Sequence, residues 1–271
     1  MAAAAGALGS VSTAAQAAVP VPATKVYDAI ILGAGTAGLV AAVEACDQGI
    51  KLVVLEKMDL PAGNSIYAEG AINACGTRAQ KLDGVIENKD ALFADMMKVS
   101  ADQADPALTR TYVEHIGGDV DWLQDTIGVK FLKVREMPYP LLSRVHVIDG
   151  GSITGGGTLI RLLLAACKKR NIPILYHTKA VELISDKKMA VTGVRALTNE
   201  GLVDFQARGG VVIATGGFSA NREMLCDYMG GVMSRLPLRG SSYVTGENIT
   251  LTKPLFAKLV HMDQFHCGPI V

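Results

Sequence analysis

Beyond the first two dozen residues, short apolar runs alternate with longer stretches whose apolar positions recur every three or four residues, the pattern of strands interleaved with amphipathic helices. Tyr27 to Leu32 (YDAIIL) reads as a strand, the alanine-rich stretch from GAGTAG through Cys46 as a helix, and KLVVLE, ending at Glu56, as a second strand. A unit of this kind predicts an α/β fold built on a parallel sheet. Further on, ALFADMMKVSADQADPALTRTYVEHIGGDVDWLQDTIG predicts a run of helices broken at Asp105-Pro106, and the segment from Gly155 to Lys169 opens on three glycines and continues as a helix. IPILYHTKAVELI predicts a strand pair or one bent strand. VTGVRAL and GLVDFQA, with NEG between them, predict a hairpin that leads into another strand, RGGVVIATGGF. No internal repeat or low-complexity linker divides residues 25–271, so one domain is expected there, preceded by a tail at 1–24.

Composition narrows the class. The chain is 49% hydrophobic and 19% charged, which suits a substantial core and excludes a disordered chain. Lysine plus arginine balances aspartate plus glutamate at 26 each, with no basic run of five, so neither a nucleic-acid surface nor a polybasic membrane patch is expected. The first residues, MAAAAGALGSVSTAAQAAVPVPATK, are almost uncharged and contain Ala15-Gln16-Ala17, a pattern found at signal-peptidase sites. Without a basic leader region the segment reads either as the end of an export signal, placing the protein in the periplasm or outside the cell, or as an alanine-rich tail on a cytoplasmic one. It is too weakly hydrophobic for a membrane span. Cys46, Cys75, Cys167, Cys226 and Cys267 show no haem or zinc spacing and read as small apolar residues, with Cys267 set apart by following His266. No histidine or carboxylate cluster has metal spacing.

The candidate chemistry lies in the glycines. Gly33, Gly35 and Gly38 form G-x-G-x-x-G between a strand and a helix: one glycine for the turn, one for backbone approach to a pyrophosphate, one for helix–strand packing. Glu56, 18 residues beyond Gly38, stands where a carboxylate takes both hydroxyls of an adenosine ribose, which favours FAD or NAD over NADP. A second glycine-rich set, PAGNSIYAEGAINA after Glu56-Lys57 and ATGGF near residue 214, suggests a longer, more enclosed dinucleotide, and FAD is the expected cofactor. The resulting fold expectation is a Rossmann-like FAD-binding domain with an inserted β hairpin or meander.

In chain order, YDAIILGAGTAGLVAAVEA, VVLEK, GNSIYAEGAINA, DWLQDTIGV, VELI, VVIATGGF and MDQFHCGPI resemble the flavoprotein module of the fumarate reductase and succinate dehydrogenase family. The likeness is to its soluble branch of flavocytochrome c fumarate reductases, urocanate reductases and ketosteroid dehydrogenases. The resemblance implies that Gly33, Ala34, Gly35, Ala37 and Gly38 surround the FAD pyrophosphate, that Glu56 and Lys57 meet the adenosine ribose region, and that Asn64, Ser65 and Gly70 line the flavin. It further implies that the backbone of Val181 meets the adenine, and that Thr215, Gly216, Gly217 and Glu247 pass close to the dinucleotide. Gln264 and His266, with Gly70, would bind substrate. Membrane-bound members tether FAD through a histidine where this chain has Ser65 and Ile66, so non-covalent FAD is implied. The implied reaction is hydride transfer from flavin N5 to a C=C bond conjugated to a carboxylate or carbonyl of a small unsaturated acid or ketone. Electrons would come from a separate cytochrome or flavoprotein.

The chain departs from the family pattern at Ala62-Gly63-Asn64, Glu69-Gly70-Ala71, Thr245-Gly246-Glu247-Asn248 and His266-Cys267, which leaves the substrate open. In the family the capping substrate domain and its proton-donating arginine follow Gln264 and His266. The chain is therefore expected to be the front part of a longer flavoprotein with no catalytic residue of its own and inactive alone: a truncated product, a fragment, or one piece of a cleaved or split polypeptide whose second piece carries the cap. A non-catalytic FAD-binding subunit and an FAD oxidase or monooxygenase are the alternatives. His146 sits beside a glycine-rich turn and reads either as facing the flavin pocket or as a surface or packing residue; His115, His177 and His261 read as structural.

Overall fold

The computed structural model describes residues 25–61, 63–151 and 153–264; the alanine-rich tail, Ala62, Ser152 and the segment holding His266 and Cys267 lie outside the described residues. The chain opens with β1 (Lys25–Leu32), α1 (Thr36–Asp47) and β2 (Leu52–Leu55), then a 3-10 turn at Asn64–Tyr67 and β3 (Ala71–Asn73). Helices α2 (Arg78–Leu82), α3 (Lys89–Val99) and α4 (Pro106–Trp122) follow, α4 running on into a π turn at Leu123–Ile127. The remainder is β4 (Val145–Val147), α5 (Gly155–Lys169), β5 (Ile174–Leu175), β6 (Lys179–Ser185), β7 (Val191–Thr198), β8 (Gly201–Ile213), α6 (Arg222–Met229) and α7 (Glu247–Thr252). The break expected at Asp105-Pro106 is the start of α4. The Asp105 carboxylate accepts from the amides of Ala107 and Leu108, and the proline occupies the first turn, where no amide donor is needed.

One six-stranded sheet, in the order β5-β2-β1-β8-β7-β6, organises the molecule. β5, β2, β1 and β8 are parallel, whereas β8, β7 and β6 form an antiparallel meander. Every residue of β2 is buried, because the sheet is covered on both faces. Ile31, Leu52 and Val54 face α1 and α5, whose buried positions at Leu39 and Val43 and at Leu159, Leu163 and Cys167 keep helical spacing. Ile30, Leu32, Val53 and Leu55 face the other way, in one core with Leu183, Val194, Val203 and Phe205. The meander thus folds over the back of the parallel strands. A smaller core of Cys75, Leu92 and Val113 holds α3 and α4.

Two strand expectations change. The hairpin arm and RGGVVIATGGF are a single 13-residue strand, β8, which pairs with β7 through its first half and with β1 from Phe205 onward. The join is a bulge: Tyr27 pairs with Ala207 but Ala29 with Gly210, and Gly210 has φ +151°. IPILYHTKAVELI is neither a pair nor a bent strand. β5 extends the parallel edge and β6 the meander edge, so three intervening residues carry the chain from one layer to the other.

A candidate dinucleotide cleft

A cleft of about 420 Å³ opens where the carboxyl ends of β1, β2 and β8 meet the N-terminus of α1. Carboxyl-end crevices of open α/β sheets are where ligands bind. Its floor is the turn between β1 and α1. Gly33 has φ +100°, donates its amide to the Leu55 carbonyl at 2.8 Å, and would put a Cβ 2.6 Å from the Ala214 oxygen. A Cβ on Gly38 would lie only 1.9 Å from the Gly33 oxygen. The glycines at 33 and 38 therefore exist for backbone contact, and they let α1 start directly beside β8. Gly35 supplies no side-chain cap to α1; Ser65 Oγ takes the Thr36 amide, and the remaining first turn and the positive end of the helix dipole face the cleft.

Glu56 closes one end. It is buried, yet lines the cleft, accepting from the Ala34 amide through Oε2 at 2.7 Å and the Met58 amide through Oε1 at 3.0 Å. Each carboxylate oxygen has a second lone pair, so the group still accepts from two ligand hydroxyls. Beside it, Thr178 donates its amide to the Glu56 carbonyl, bringing the start of β6 to the rim. Asn64 and Ser65 form the front wall: Ser65 Oγ accepts from the Thr36 amide at 3.1 Å and Asn64 Oδ1 from the Ser241 amide at 2.8 Å. The three glycines of α5 explain how that wall is held. Cβ atoms on Gly155 and Gly156 would lie 2.3 Å from the Glu69 oxygen and 2.1 Å from the Ser65 oxygen, so the helix end packs bare backbone against residues 65–70.

Lys57, Thr245 and Glu247 join the remaining walls. Lys57 Nζ reaches Thr245 Oγ1 at 3.2 Å and Glu247 Oε1 at 2.5 Å, and Thr245 Oγ1 donates to the same carboxylate oxygen at 2.7 Å. Burial raises the Glu247 pKa, but the hydrogen bonds from Lys57 and Thr245 and the charge of Lys57 outweigh it and hold the carboxyl below the usual glutamate value. Three buried polar atoms of the lining, Thr215 Oγ1, Glu247 Oε2 and Asn248 Oδ1, have no partner among the described residues. Buried polar groups are nearly always paired, so their clustering in one cleft fits a polar ligand that supplies the partners. Together with the helix N-terminus for an anion and the carboxylate for vicinal hydroxyls, the donor set fits FAD.

Of the sequence candidates, Gly33, Gly35, Ala37, Glu56, Lys57, Asn64, Ser65, Thr215, Gly216 and Glu247 line the cleft. Ala34 and Gly38 are buried beneath it, Ala34 orienting Glu56 through its amide and Gly38 seating α1. Gly70 packs on Gly155, and the exposed Gly217 accepts from the Gly246 amide, so neither lines the cleft. The lining takes in Thr178, Lys179 and Ala180 and stops short of Val181, whose side chain is exposed. Gln264 is exposed, its amide donating to Asp263. His146 neither faces the cleft nor lies at the surface. It is fully buried between Thr77 Oγ1 (2.7 Å) and the Arg144 carbonyl (2.8 Å), and burial lowers its pKa more than that carbonyl raises it. Thr36, Met58, Tyr243 and Val244 line the cleft without having been singled out. Thr36 followed directly from the fingerprint, being the first residue of the helix; the others carry no sequence signal.

The FAD binding domain family matches residues 28–270, and the chain belongs to it. Among its relatives, it is 32% identical over 250 residues to NADH:fumarate oxidoreductase of Klebsiella pneumoniae, covering 92% of this chain and 26% of that protein. It is 29% identical to urocanate reductase of Eggerthella lenta, covering 91% and 41%. The fold superposes on the 3-ketosteroid-Δ4-(5α)-dehydrogenase of Rhodococcus jostii with a TM-score of 0.80 at 27% identity, over 88% of this chain and 56% of that one. The chain thus spans between about a quarter and a half of the curated relatives' lengths.

Proposed function

We propose that residues 25–271 are the FAD-binding part of an oxidoreductase that reduces, or in reverse forms, a C=C bond conjugated to a carboxylate or carbonyl. The observation that carries this reading is the cleft itself, with the N-terminus of α1 facing it, its buried ribose-type carboxylate and its three unpartnered polar atoms. The relatives named for fumarate and urocanate support the unsaturated-acid class. The first-turn amides of α1, beside Gly33 and Gly35, hold the diphosphate, Glu56 takes the ribose hydroxyls, and the start of β6 meets the adenine. Asn64, Ser65, Thr215 and Gly216 flank the rest. Bound there, FAD supplies the hydride chemistry, and the protein's part is to bind, orient and exclude water.

The cofactor is non-covalent in this reading, since no histidine or cysteine is among the described residues lining the cleft. Substrate would meet Gln264 and His266, electrons would arrive from a separate cytochrome or flavoprotein, and a cap on further polypeptide would complete the site. Export to the periplasm belongs to the same proposal, resting on the composition of residues 1–24. No helix among the described residues is long and apolar enough to cross a membrane.

The test starts from natively purified protein, titrated with FAD and followed by flavin absorbance and fluorescence. The holoprotein, with any co-purifying chain, is then reduced anaerobically and mixed with fumarate, acrylate, urocanate or a ketosteroid. Flavin reoxidation by one of these alkenes is the expected result. A chain that leaves the flavin spectrum unchanged refutes the cofactor assignment. Reoxidation by oxygen alone, with peroxide formed, refutes the reductase and places the protein among oxidases.

A further inference from the structure

Lys57 and Glu247 stand 190 positions apart in the chain and meet across the cleft, one directly after the β2 carboxylate Glu56 and the other opening α7. Both line the space assigned above to a diphosphate-bearing cofactor, a setting in which a carboxylate is the wrong charge. Glu56 is compatible because two backbone amides hold it at the ribose end. Glu247 has less backbone support, that of its own amide alone: its side chain is 10% exposed, Oε1 is taken by Lys57 and Thr245, and Oε2 is buried without a partner among the described residues. Lys57 in turn spends two of its three donors on that pair, so its charge is committed before any ligand arrives.

We propose that Lys57 acts on Glu247 and not on the dinucleotide: its ammonium masks a carboxylate that otherwise repels the diphosphate. The masked Glu247 then offers Oε2 to a hydroxyl of the ligand, a donor, which a phosphate oxygen is not. This rests on the FAD reading of the cleft, and it makes Lys57 a positioning residue whose importance exists only because Glu247 is charged.

Masking and direct contact predict opposite epistasis. Under masking, Lys57→Met leaves an unpaired buried carboxylate and weakens FAD binding on the order of thirtyfold. Glu247→Gln keeps the acceptor for Lys57 and Thr245 but turns an amide nitrogen toward the ligand hydroxyl, and weakens FAD binding by about fivefold. The double variant K57M/E247Q, which has no orphaned charge, binds FAD within about tenfold of the parent. If Lys57 instead touches a phosphate, the double variant is as weak as Lys57→Met, because the lost contact is the same.

The experiment is FAD titration of the full chain and these variants by flavin fluorescence, with thermal unfolding of each ligand-free protein alongside. Rescue of affinity by Glu247→Gln in the Lys57→Met background supports the proposal. A double variant more than about tenfold weaker than the parent overturns it, even if Lys57→Met alone does not fold. Failure of the parent to bind FAD is a different outcome, which overturns the FAD reading itself and the masking proposal with it.

Discussion

Replacing Gly38 by alanine puts one methyl group where the structure has no room for it. The new Cβ falls 1.9 Å from the Gly33 carbonyl oxygen, more than 1 Å inside the closest approach that Cβ atoms make, and the obstacle is backbone that cannot rotate away. Overpacking of this kind costs up to about 3 kcal/mol, whereas alanine in place of glycine within a helix returns about 1 kcal/mol, so the net loss is about 2 kcal/mol. The only relief is for α1 to move off the sheet by roughly 1 Å, beyond the roughly 0.5 Å within which a preorganised site keeps its geometry. FAD affinity should then fall about tenfold, a loss of about 1.4 kcal/mol. Gly118 is the matched control, an exposed helical glycine in α4 with nothing within 4 Å of its added Cβ. The same substitution there should stabilise the protein by about 0.8 kcal/mol and leave FAD binding alone. Urea unfolding gives the stability difference from midpoints at unchanged slope, and fluorescence titration gives the affinity. A Gly38→Ala protein as stable as the parent, or one that binds FAD equally well, refutes the account of why the fingerprint has its third glycine.

Other expectations are independent of that one. Glu56→Gln should weaken FAD binding about tenfold by removing a charged acceptor from ligand hydroxyls, and should cost the fold about 1–2 kcal/mol because its amide nitrogen must face the Ala34 or Met58 amide; unchanged affinity would show that the ribose lies elsewhere. Because the folded pKa of Glu247 is depressed, its contribution to stability is complete above the unfolded glutamate value and is lost as pH falls through the folded one. Thermal midpoints measured from about pH 6 to about pH 3 should therefore drop less steeply for Glu247→Gln than for the parent. Arg144 is 1% exposed in its side chain and pairs with Glu87 at 3.0 Å and Asp95 at 2.8 Å, so Arg144→Met should cost about 3 kcal/mol in a urea melt. Among the cysteines of the described residues, Cys226 is exposed and should react first with a thiol reagent. Cys75 and Cys167 should react only on unfolding, burial having raised both and carried Cys167 to about 11; mapping the modified peptides checks the order.

What was legible in the sequence was the part whose physics is local. The β1–α1–β2 unit was readable because apolar period and glycine spacing both act over a few residues, and Glu56 followed from the length of that unit. The start of α4 was readable because Asp105 and Pro106 act on amides two or three positions away. For His146 the sequence left packing as one of several readings, since nothing next to it indicates that Thr77, 69 positions away, accompanies it in the interior.

The sequence by itself determined that there would be a parallel sheet, a glycine turn at its carboxyl edge and a carboxylate opposite. Only the tertiary structure decided that β8 runs unbroken through two layers, that β5 and β6 part to opposite edges, and that Asn64 holds Ser241. It also decided that Lys57 is spent on Glu247. Hydrogen bonds and ion pairs between distant segments depend on which surfaces packing brings together, and a chain's local pattern fixes which face of an element is buried without fixing what it is buried against.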